Sequence, residues 1–235
     1  MKGKRARRET LVKIRLQARL PVVHVRPLME KCAPYDLIAE QWNSLRTGFR
    51  SGEESYLQLL LDSLSPNSRI LDLGCGTGTP NATFLSAAGH RIHGIDASEK
   101  LLEIARENLP DATLEAGQLE GDQPLPGPFD SALCWDALFH LERALHQKVF
   151  ERVAASLRPG ALFLLTSGGS ANDPFTDTMW DVEFSYDAHP PAETERLLTA
   201  SGFEIIRSSL LEEPTGGRNK GRLAVAARKV TPRAS

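Results

Sequence analysis

The sequence has few of the features that mark membrane-spanning or disulfide-stabilised proteins. No uninterrupted apolar stretch among its 235 residues reaches the roughly 18–20 residues that a bilayer-spanning helix needs. The three cysteines, Cys32, Cys75 and Cys134, are scattered and show no metal-ligand spacing. This usage argues against a disulfide framework and against a zinc site or other metal centre, and it predicts a reducing compartment, the cytoplasm. Because 41% of the residues are hydrophobic, the chain can build the core of one globular domain.

Positive charge is concentrated at the start of the chain. Residues 1–28 contain nine Lys or Arg and one acid, a local balance of +8, whereas the whole chain has a net charge of −2. This stretch has no apolar core of signal-peptide length. It could form a basic helix that touches RNA or a membrane surface, or act as an Arg-rich transit peptide. We favour either a solvated, partly ordered extension or translation that begins upstream of the usual start, with Met29 as the natural one.

Strands and helices alternate along the rest of the chain, after two helices that begin near Tyr35 and Glu53. Alternation of this kind predicts a parallel sheet with helices on both faces. The last two strands have no helix between them and are expected to pair antiparallel. The predicted fold is therefore α/β and Rossmann-like, with a mostly parallel sheet whose last strand is antiparallel. Its seven strands are expected at 69–73, 91–96, 112–116, 129–135, 161–167, 203–211 and 222–228.

The stretch RILDLGCGTGTPNATF joins a buried-looking strand to a loop rich in glycine. Gly74, Gly76 and Gly78 stand at every second position, which lets ligand atoms lie against bare backbone. A dinucleotide site has the spacing G-x-G-x-x-G, because a pyrophosphate rests on the helix start. Here the pattern is D-x-G-x-G-x-G, and Asp72 suits an ammonium group better than a phosphate. Asp96 ends the next strand, where a carboxylate can accept both ribose hydroxyls.

This ordered pattern resembles that of the class I S-adenosylmethionine-dependent methyltransferases of the small-molecule type, over residues 35–228. The resemblance implies S-adenosylmethionine as cofactor and methyl transfer to an O, N or C atom of a small-molecule acceptor. It also implies a methyltransferase domain at 29–235 that follows the basic extension. Within this domain, a helical lid is expected at 29–66 and a cofactor-binding core at 67–235.

The resemblance further implies which residues hold the cofactor. Gln118 and Leu119 are expected to flank the adenine, although the family often has Asp where this chain has Gln118. Arg46 is expected near the carboxylate of the cofactor. The full set lies in the lid, the glycine loop, the end of the second strand and the segment around the fourth strand: Tyr35, Arg46, Asp72, Gly74, Cys75, Gly76, Gly78, Asp96, Ala97, Gln118, Leu119 and Trp135.

Two residues after the fourth strand are candidates for a catalytic role. Methyl transfer from a sulfonium needs alignment and desolvation, and a general base only where the acceptor stays protonated. His140 is the candidate base, with packing under the cofactor loop as the structural alternative. Asp136 is expected either to orient the acceptor or to cap the next helix. Cys75 is not interpreted as a nucleophile, because small residues commonly fill its position between two glycines.

Aromatic side chains are the candidates for the acceptor site. Trp135 and Phe139 either form the wall of an apolar pocket or fill the core. Trp180 and Tyr186 belong to the loop after the fifth strand, where ordinary loop packing is the alternative.

Three other functions remain as alternatives. An RNA methyltransferase could use the basic extension as a docking arm, although CWDA replaces the Pro-Pro turn of adenine-amino methylases. Thr79 and Asp72 argue against a nicotinamide-dependent oxidoreductase. A non-catalytic module would bind the cofactor without turnover.

Overall fold

The structure, a computed structural model, describes residues 33–50, 52–217 and 219–230. The predictions for the basic extension at 1–28, for Met29 and for Cys32 lie outside these described residues. No helix within the described ranges has both the length and the apolar character that crossing a membrane would require.

The described strands form a large sheet and a separate hairpin. Their bounds are β1 (Arg69–Leu73), β2 (Arg91–Asp96), β3 (Thr113–Ala116), β4 (Phe129–Cys134), β5 (Leu157–Gly168), β6 (Phe175–Met179), β7 (Val182–Tyr186), β8 (Phe203–Glu212) and β9 (Arg222–Lys229).

Helices connect most of these strands. The α-helices are α1 (Ala39–Leu45), α2 (Glu53–Ser63), α3 (Asn81–Ala87), α4 (Glu99–Asn108), α5 (His146–Ser156) and α6 (Pro191–Ala200), and short 3-10 helices cover Pro34–Leu37, Leu138–His140 and Arg143–Leu145.

The large sheet has seven strands in the order β3-β2-β1-β4-β5-β9-β8. The pairs among β1 to β5 are parallel, and β9 pairs antiparallel with both β5 and β8. This confirms the predicted mostly parallel sheet with an antiparallel last strand. The strand order reverses between β1 and β4, so a crevice opens at their carboxyl ends, where ligands bind in sheets of this kind.

Apolar residues on both faces of the sheet bury two hydrophobic clusters. Leu71 and Leu73 contribute to one cluster, and Ile70 contributes to the other, as the period of two in a strand requires. Helices α5 and α6 cover the first cluster, and α2 and α3 cover the second. The sheet is therefore held from both sides, which fixes the strand ends that carry polar residues.

The sequence predicted some local features correctly and others wrongly. The sequence pattern predicts Ser98 as the cap of the helix after β2, and this is confirmed, because its hydroxyl accepts a hydrogen bond from the backbone N–H of Leu101 at 3.1 Å. The pattern also predicts Thr79 as the cap of the helix after β1, but α3 begins after Pro80 and has no side-chain cap. Helical spacing places Leu45 on the same side as Ile38 and Trp42, whereas in the structure Ile38 is buried and Leu45 is 57% exposed. The hairpin of β6 and β7 was expected to be loop.

Candidate functional site

A cleft of about 310 Å³ opens at the carboxyl ends of β1, β2 and β4. Its volume lies at the lower end of the range of about 300–1,000 Å³ for small-molecule sites. The glycine loop after β1 forms its floor, and side chains from residues 33–46 cover it.

The glycine loop has a backbone conformation that other residues rarely adopt. The φ angles of Gly74, Gly76 and Gly78 are +74°, +55° and +78°. A Cβ at Gly74 would overlap that of Ala137, and one at Gly78 would lie 2.5 Å from the side chain of Leu109. At Gly76, by contrast, the nearest atoms to a Cβ lie 4.0 Å away, so a ligand can approach the backbone there.

Two buried carboxylates lie beside this loop. Asp96 accepts hydrogen bonds from the backbone N–H groups of Gly76 at 2.8 Å and Ser98 at 2.9 Å. A carboxylate has about four acceptor positions, so Asp96 keeps capacity for two further donors from a ligand. Asp72 lies at the end of β1, 4% exposed. Burial, together with the nearby charge of Asp96, raises the pKa of Asp72 to about 7.

Two further polar atoms of the cleft are buried without a hydrogen-bond partner among the described residues. They are the hydroxyl oxygen of Thr77 and the Oδ1 of Asn81, both next to the glycine loop. Buried polar groups are normally satisfied, so these two atoms indicate that a ligand completes the site.

A tyrosine and a histidine meet at one wall of the cleft. The Tyr35 hydroxyl lies 3.1 Å from Nε2 of His140, and Nδ1 of His140 lies 3.1 Å from the backbone oxygen of Ser185. A carbonyl oxygen can only accept, so Nδ1 carries the proton and Nε2 accepts from Tyr35. Burial lowers the pKa of His140 and raises that of Tyr35, and both groups are therefore neutral near pH 7.

The segment before α1 is attached to the rim of the cleft. The carboxylate of Asp36 accepts hydrogen bonds from the hydroxyl of Ser98 at 2.5 Å and from the backbone N–H of Lys100 at 3.1 Å. The ring of Tyr35 packs edge-on against Trp42 and Phe184, with centroids 5.3 and 4.9 Å apart. These contacts hold aromatic side chains over the glycine loop.

A buried group of four charged residues borders the cleft. This ion cluster consists of Arg46, Glu53, Asp136 and Arg222, and each carries no more than a tenth of its side-chain surface exposed. Arg46 donates to Glu53 at 3.1 Å, and Arg222 bonds both Glu53 and Asp136, the latter at 2.7 and 2.8 Å. Two positive charges balance two negative ones, which is what burial of charge requires.

Hydrogen bonds and ion pairs outweigh the effect of burial on the pKa values of Glu53 and Arg222. Burial alone would raise the pKa of Glu53, but the backbone N–H of Arg50 and the charge of Arg222 hold it below its usual value. Burial would lower the pKa of Arg222, and the carboxylates of Asp136 and Glu53 raise it instead. Glu53 and Arg222 are therefore charged at neutral pH.

A second cavity, of about 470 Å³, lies between β5, β9 and the β6–β7 hairpin. Phe139, Phe175 and Tyr186 line it, and the ring of Tyr186 stacks on both phenylalanine rings, with centroids 6.0 and 5.1 Å apart. Arg222 of the ion cluster also lines this cavity, while its partner Asp136 lines the cleft. The two cavities therefore share one group of charged residues.

The structure brings most of the residues singled out from the sequence into these two cavities. Phe139 and Tyr186 line the second cavity. Trp180 lies in the turn between β6 and β7 instead, 45% exposed, and lines neither cavity. The residues that line the cleft are Tyr35, Arg46, Asp72, Gly74, Cys75, Gly76, Gly78, Asp96, Ala97, Gln118, Leu119, Trp135, Asp136 and His140.

Arg46 and Asp136 are engaged with neighbouring polar groups of the protein, and Cys75 agrees with the expectation that it is not a nucleophile. The guanidinium of Arg46 is engaged with Glu53. The carboxylate of Asp136 accepts hydrogen bonds from Arg222 and Thr166, so Asp136 does not cap a helix. Burial raises the pKa of Cys75 well above its usual value, so its thiol is a poor nucleophile.

Sequence reasoning missed Glu53, Arg222 and Ser167 altogether. Glu53 and Arg222 are 169 positions apart, and each stands in a segment with no motif around it. Their meeting depends on the packing of α2 against the sheet, for which the sequence carries no local signal.

Comparison with known proteins identifies relatives of this region. Residues 70–160 match the family model described as a methyltransferase domain. An uncharacterized methyltransferase of Synechocystis sp. is 38% identical over 117 residues, which are 48% of this chain and 54% of that protein. A trans-aconitate 2-methyltransferase of Paracidovorax citrulli is 34% identical over 122 residues, 51% of this chain and 46% of that protein. The chain thus spans about half the length of the curated relatives it matches.

A solved structure shows the same fold. The S-adenosylmethionine-dependent methyltransferase of Methanosarcina mazei matches with a TM-score of 0.64 at 20% sequence identity, covering 73% of this chain and 97% of that chain. At this level of identity the similarity concerns the architecture of sheet and helices.

Replacing Glu53 with Gln is expected to lower the free energy of unfolding by about 3 kcal/mol. Arg46 and Arg222 would keep their buried charges and lose the counter-ion that they share. Unfolding in guanidinium chloride, followed by circular dichroism, measures the change. The matched control is Glu54→Gln, at the exposed next position of α2, which should change stability by less than about 0.5 kcal/mol. Equal stability of the two variants would contradict this account of the ion cluster.

Proposed function

Because the chain contains a methyltransferase domain and has the fold of the class I S-adenosylmethionine (SAM)-dependent methyltransferases, we propose that it binds SAM in the cleft and transfers a methyl group to a small-molecule acceptor. The observation that carries this proposal is the pair of buried carboxylates, Asp72 and Asp96, on the two sides of a glycine loop. A diphosphate would be repelled by such a pair, whereas a nucleoside with an ammonium group is matched to it.

The residues of the cleft fit the parts of SAM. Asp96, already held by two backbone N–H groups, would accept the ribose hydroxyls with its remaining lone pairs. Asp72 would face the ammonium group, and the open backbone at Gly76 gives the cofactor room. Gln118 and Leu119 line the same cleft and would flank the adenine. When bound, SAM supplies a methyl group on a sulfonium, whose departure as a neutral thioether needs no acid.

Tyr35 and His140 would handle the proton of an acceptor that reaches the cleft protonated. The acceptor proton would move to the hydroxyl oxygen of Tyr35 while the Tyr35 proton moves to Nε2 of His140. The Ser185 carbonyl keeps the other proton of His140 on Nδ1, so Nε2 is the atom ready to receive. Asp136 is a positioning residue in this scheme, because both of its carboxylate oxygens are already bound by Arg222.

The chain around the cleft would exclude water from the reaction. We assign residues 29–66 to a lid and residues 67–235 to the cofactor-binding core. Two observations support this assignment: Tyr35 and Trp42 line the cleft above the glycine loop, and Asp36 is hydrogen-bonded to the rim of the cleft. The basic segment at 1–28 stays a predicted extension. The free, buried state of Cys75 and Cys134 agrees with a role in the reducing cytoplasm.

A small molecule is the acceptor class that the cavities favour. The second cavity, of about 470 Å³, has room for a molecule of modest size. One relative of this chain is named for methyl transfer to trans-aconitate, which is such a molecule. We propose an O, N or C atom of a compound of this size as the methyl acceptor.

Methyl-labelled SAM, incubated with the full chain and a cell extract, is expected to label a small molecule.

Asp96→Asn should weaken the binding of S-adenosylhomocysteine in calorimetry by roughly tenfold or more, because charge-assisted hydrogen bonds are lost. Asp62→Asn, an acid of α2 outside the cleft, is the control and should bind like the wild type. Lack of affinity for SAM and S-adenosylhomocysteine at millimolar concentration would reject the proposed function.

The affinity for S-adenosylhomocysteine is expected to rise with pH below about 7. Asp72 must release its proton before it can pair with an ammonium group, and its pKa is about 7. Each pH unit below that value should therefore weaken binding by up to about tenfold, and Asp72→Asn should abolish this dependence. Calorimetry between pH 5.5 and 8 measures how the affinity changes with pH in the wild type and in the variant. If the affinity of both proteins changes equally with pH, Asp72 does not face the ammonium group.

Removal of the Tyr35 hydroxyl is expected to lower kcat by roughly 100-fold with an acceptor that must lose a proton. Tyr35→Phe keeps the aromatic packing, so the affinity for S-adenosylhomocysteine should stay unchanged. At saturating SAM, the kcat of the wild type should fall only when acid charges the ring of His140, and burial moves this fall below the usual pH range of a histidine by lowering its pKa. An unchanged kcat in Tyr35→Phe, measured with the acceptor identified by labelling, would refute the relay.

A further inference from the structure

The second cavity contains two buried polar groups that no described residue satisfies. Nη1 of Arg222 and the hydroxyl of Ser167 both lack a hydrogen-bond partner, although these residues are only 6% and 1% exposed. Both residues line the second cavity. Buried donors are costly to leave unpaired, so their presence at one cavity points to a ligand that accepts hydrogen bonds.

The remaining donors of Arg222 are used on the side of the ion cluster. Its Nε and Nη2 bind Asp136, and Nη2 also binds Glu53. Those contacts fix the plane of the guanidinium, while Nη1 makes no hydrogen bond to a described residue. A guanidinium held in this way is preorganised to bind a planar oxyanion.

Acidic residues around the cavity limit the charge of that oxyanion. Glu212 has an oxygen 3.9 Å from Nη1 of Arg222, and Asp177 and Asp187 also line the cavity. Asp187 is paired with Arg143, and the ammonium of Lys220 lies over the ring of Phe175. The lining of the cavity thus has two cations, Arg222 and Lys220, and three acids, one of which is paired with Arg143. A dianion such as phosphate is repelled by these acids more strongly than a singly charged carboxylate, so the lining favours a carboxylate over a phosphate.

Three aromatic side chains form one part of the cavity wall. Phe175, Tyr186 and Phe139 form a stack in which the neighbouring ring planes meet at 13° and 24°. The backbone oxygen of Phe139 accepts from the N–H of Asp187, which fixes the hairpin to the residue before His140. A planar apolar group is matched to such a wall.

We propose that the second cavity holds the methyl acceptor, and that this acceptor is a planar, apolar molecule whose carboxylate binds Nη1 of Arg222 and the hydroxyl of Ser167. Its role as acceptor rests on the proposed function. The ring of His140 packs against the aromatic wall of this cavity, with its centroid 4.9 Å from that of Phe139 and 5.0 Å from that of Tyr186, so an acceptor held there lies beside the proposed proton relay.

The test uses 4-(trifluoromethyl)benzoate as probe, followed by 19F NMR with the full chain. We expect saturable binding of the benzoate and at least about tenfold weaker binding of 4-(trifluoromethyl)benzamide and of 4-(trifluoromethyl)phenyl phosphate. S-adenosylhomocysteine at saturation should leave the benzoate bound, because the two occupy different cavities.

Three variants test the assignment of residues. Ser167→Ala removes an unsatisfied hydroxyl, so it should fold normally and weaken benzoate binding by about tenfold. Glu212→Gln removes a competing carboxylate and should strengthen binding several-fold. Arg222→Lys keeps the charge beside Glu53 and Asp136 and should abolish binding. Ser208→Ala, whose hydroxyl donates to Glu195 on the far side of the sheet edge, is the matched control and should bind like the wild type.

The outcomes separate this inference from the proposed function. Equal binding of benzoate and benzamide, tighter binding of the phosphate, or an unaffected Ser167→Ala variant would overturn the carboxylate site while calorimetry with S-adenosylhomocysteine still supports methyl transfer. Binding of benzoate without any affinity for S-adenosylhomocysteine would overturn the acceptor role together with the proposed function.

Discussion

The buried carboxylate of Glu53 is the interaction on which the arrangement of both cavities depends. Its side chain is fully buried and accepts hydrogen bonds from Arg46, Arg222, the backbone of Arg50 and the indole of Trp135. Removing such a charge from water is costly unless several donors surround it. The donors come from the segment before α2, from the residue after β4 and from β9. Satisfying one carboxylate therefore fixes the relative positions of these three parts of the chain.

The balance of charge within the ion cluster has a consequence for the cleft. The cluster has two cations and two anions and contributes little net field, whereas Asp72 and Asp96 stand beside the glycine loop without a cationic side chain of their own among the described hydrogen bonds and ion pairs. These two carboxylates make the cleft acidic at the carboxyl ends of β1 and β2. Burial raises the pKa of both, and the proposed cationic nucleoside would favour their charged forms.

The features that the sequence predicted correctly are those that local pattern determines. Alternating strands and helices predicted the sheet, and the family resemblance read from D-x-G-x-G-x-G is confirmed by the matched domain and the fold. Asp72 and Asp96 were predicted together because parallel strands end at one edge. Glu53, Arg222 and Ser167 could not be predicted, since their roles arise from contacts between segments far apart in the chain. The hairpin was missed because its strands are short and largely polar.

That hairpin joins the two halves of the proposed chemistry. The carbonyl of Ser185 sets the proton position on His140, while the neighbouring Tyr186 forms part of the aromatic wall of the second cavity. Phe184, on the other side of Ser185, packs against Tyr35. Three consecutive residues of β7 thus have three different contacts. Phe184 contacts Tyr35, Ser185 contacts His140, and Tyr186 lines the cavity proposed for the methyl acceptor. A shift of this strand would change the orientation of His140 and the shape of the second cavity together, so in the proposed chemistry the hairpin would couple the choice of acceptor to its activation.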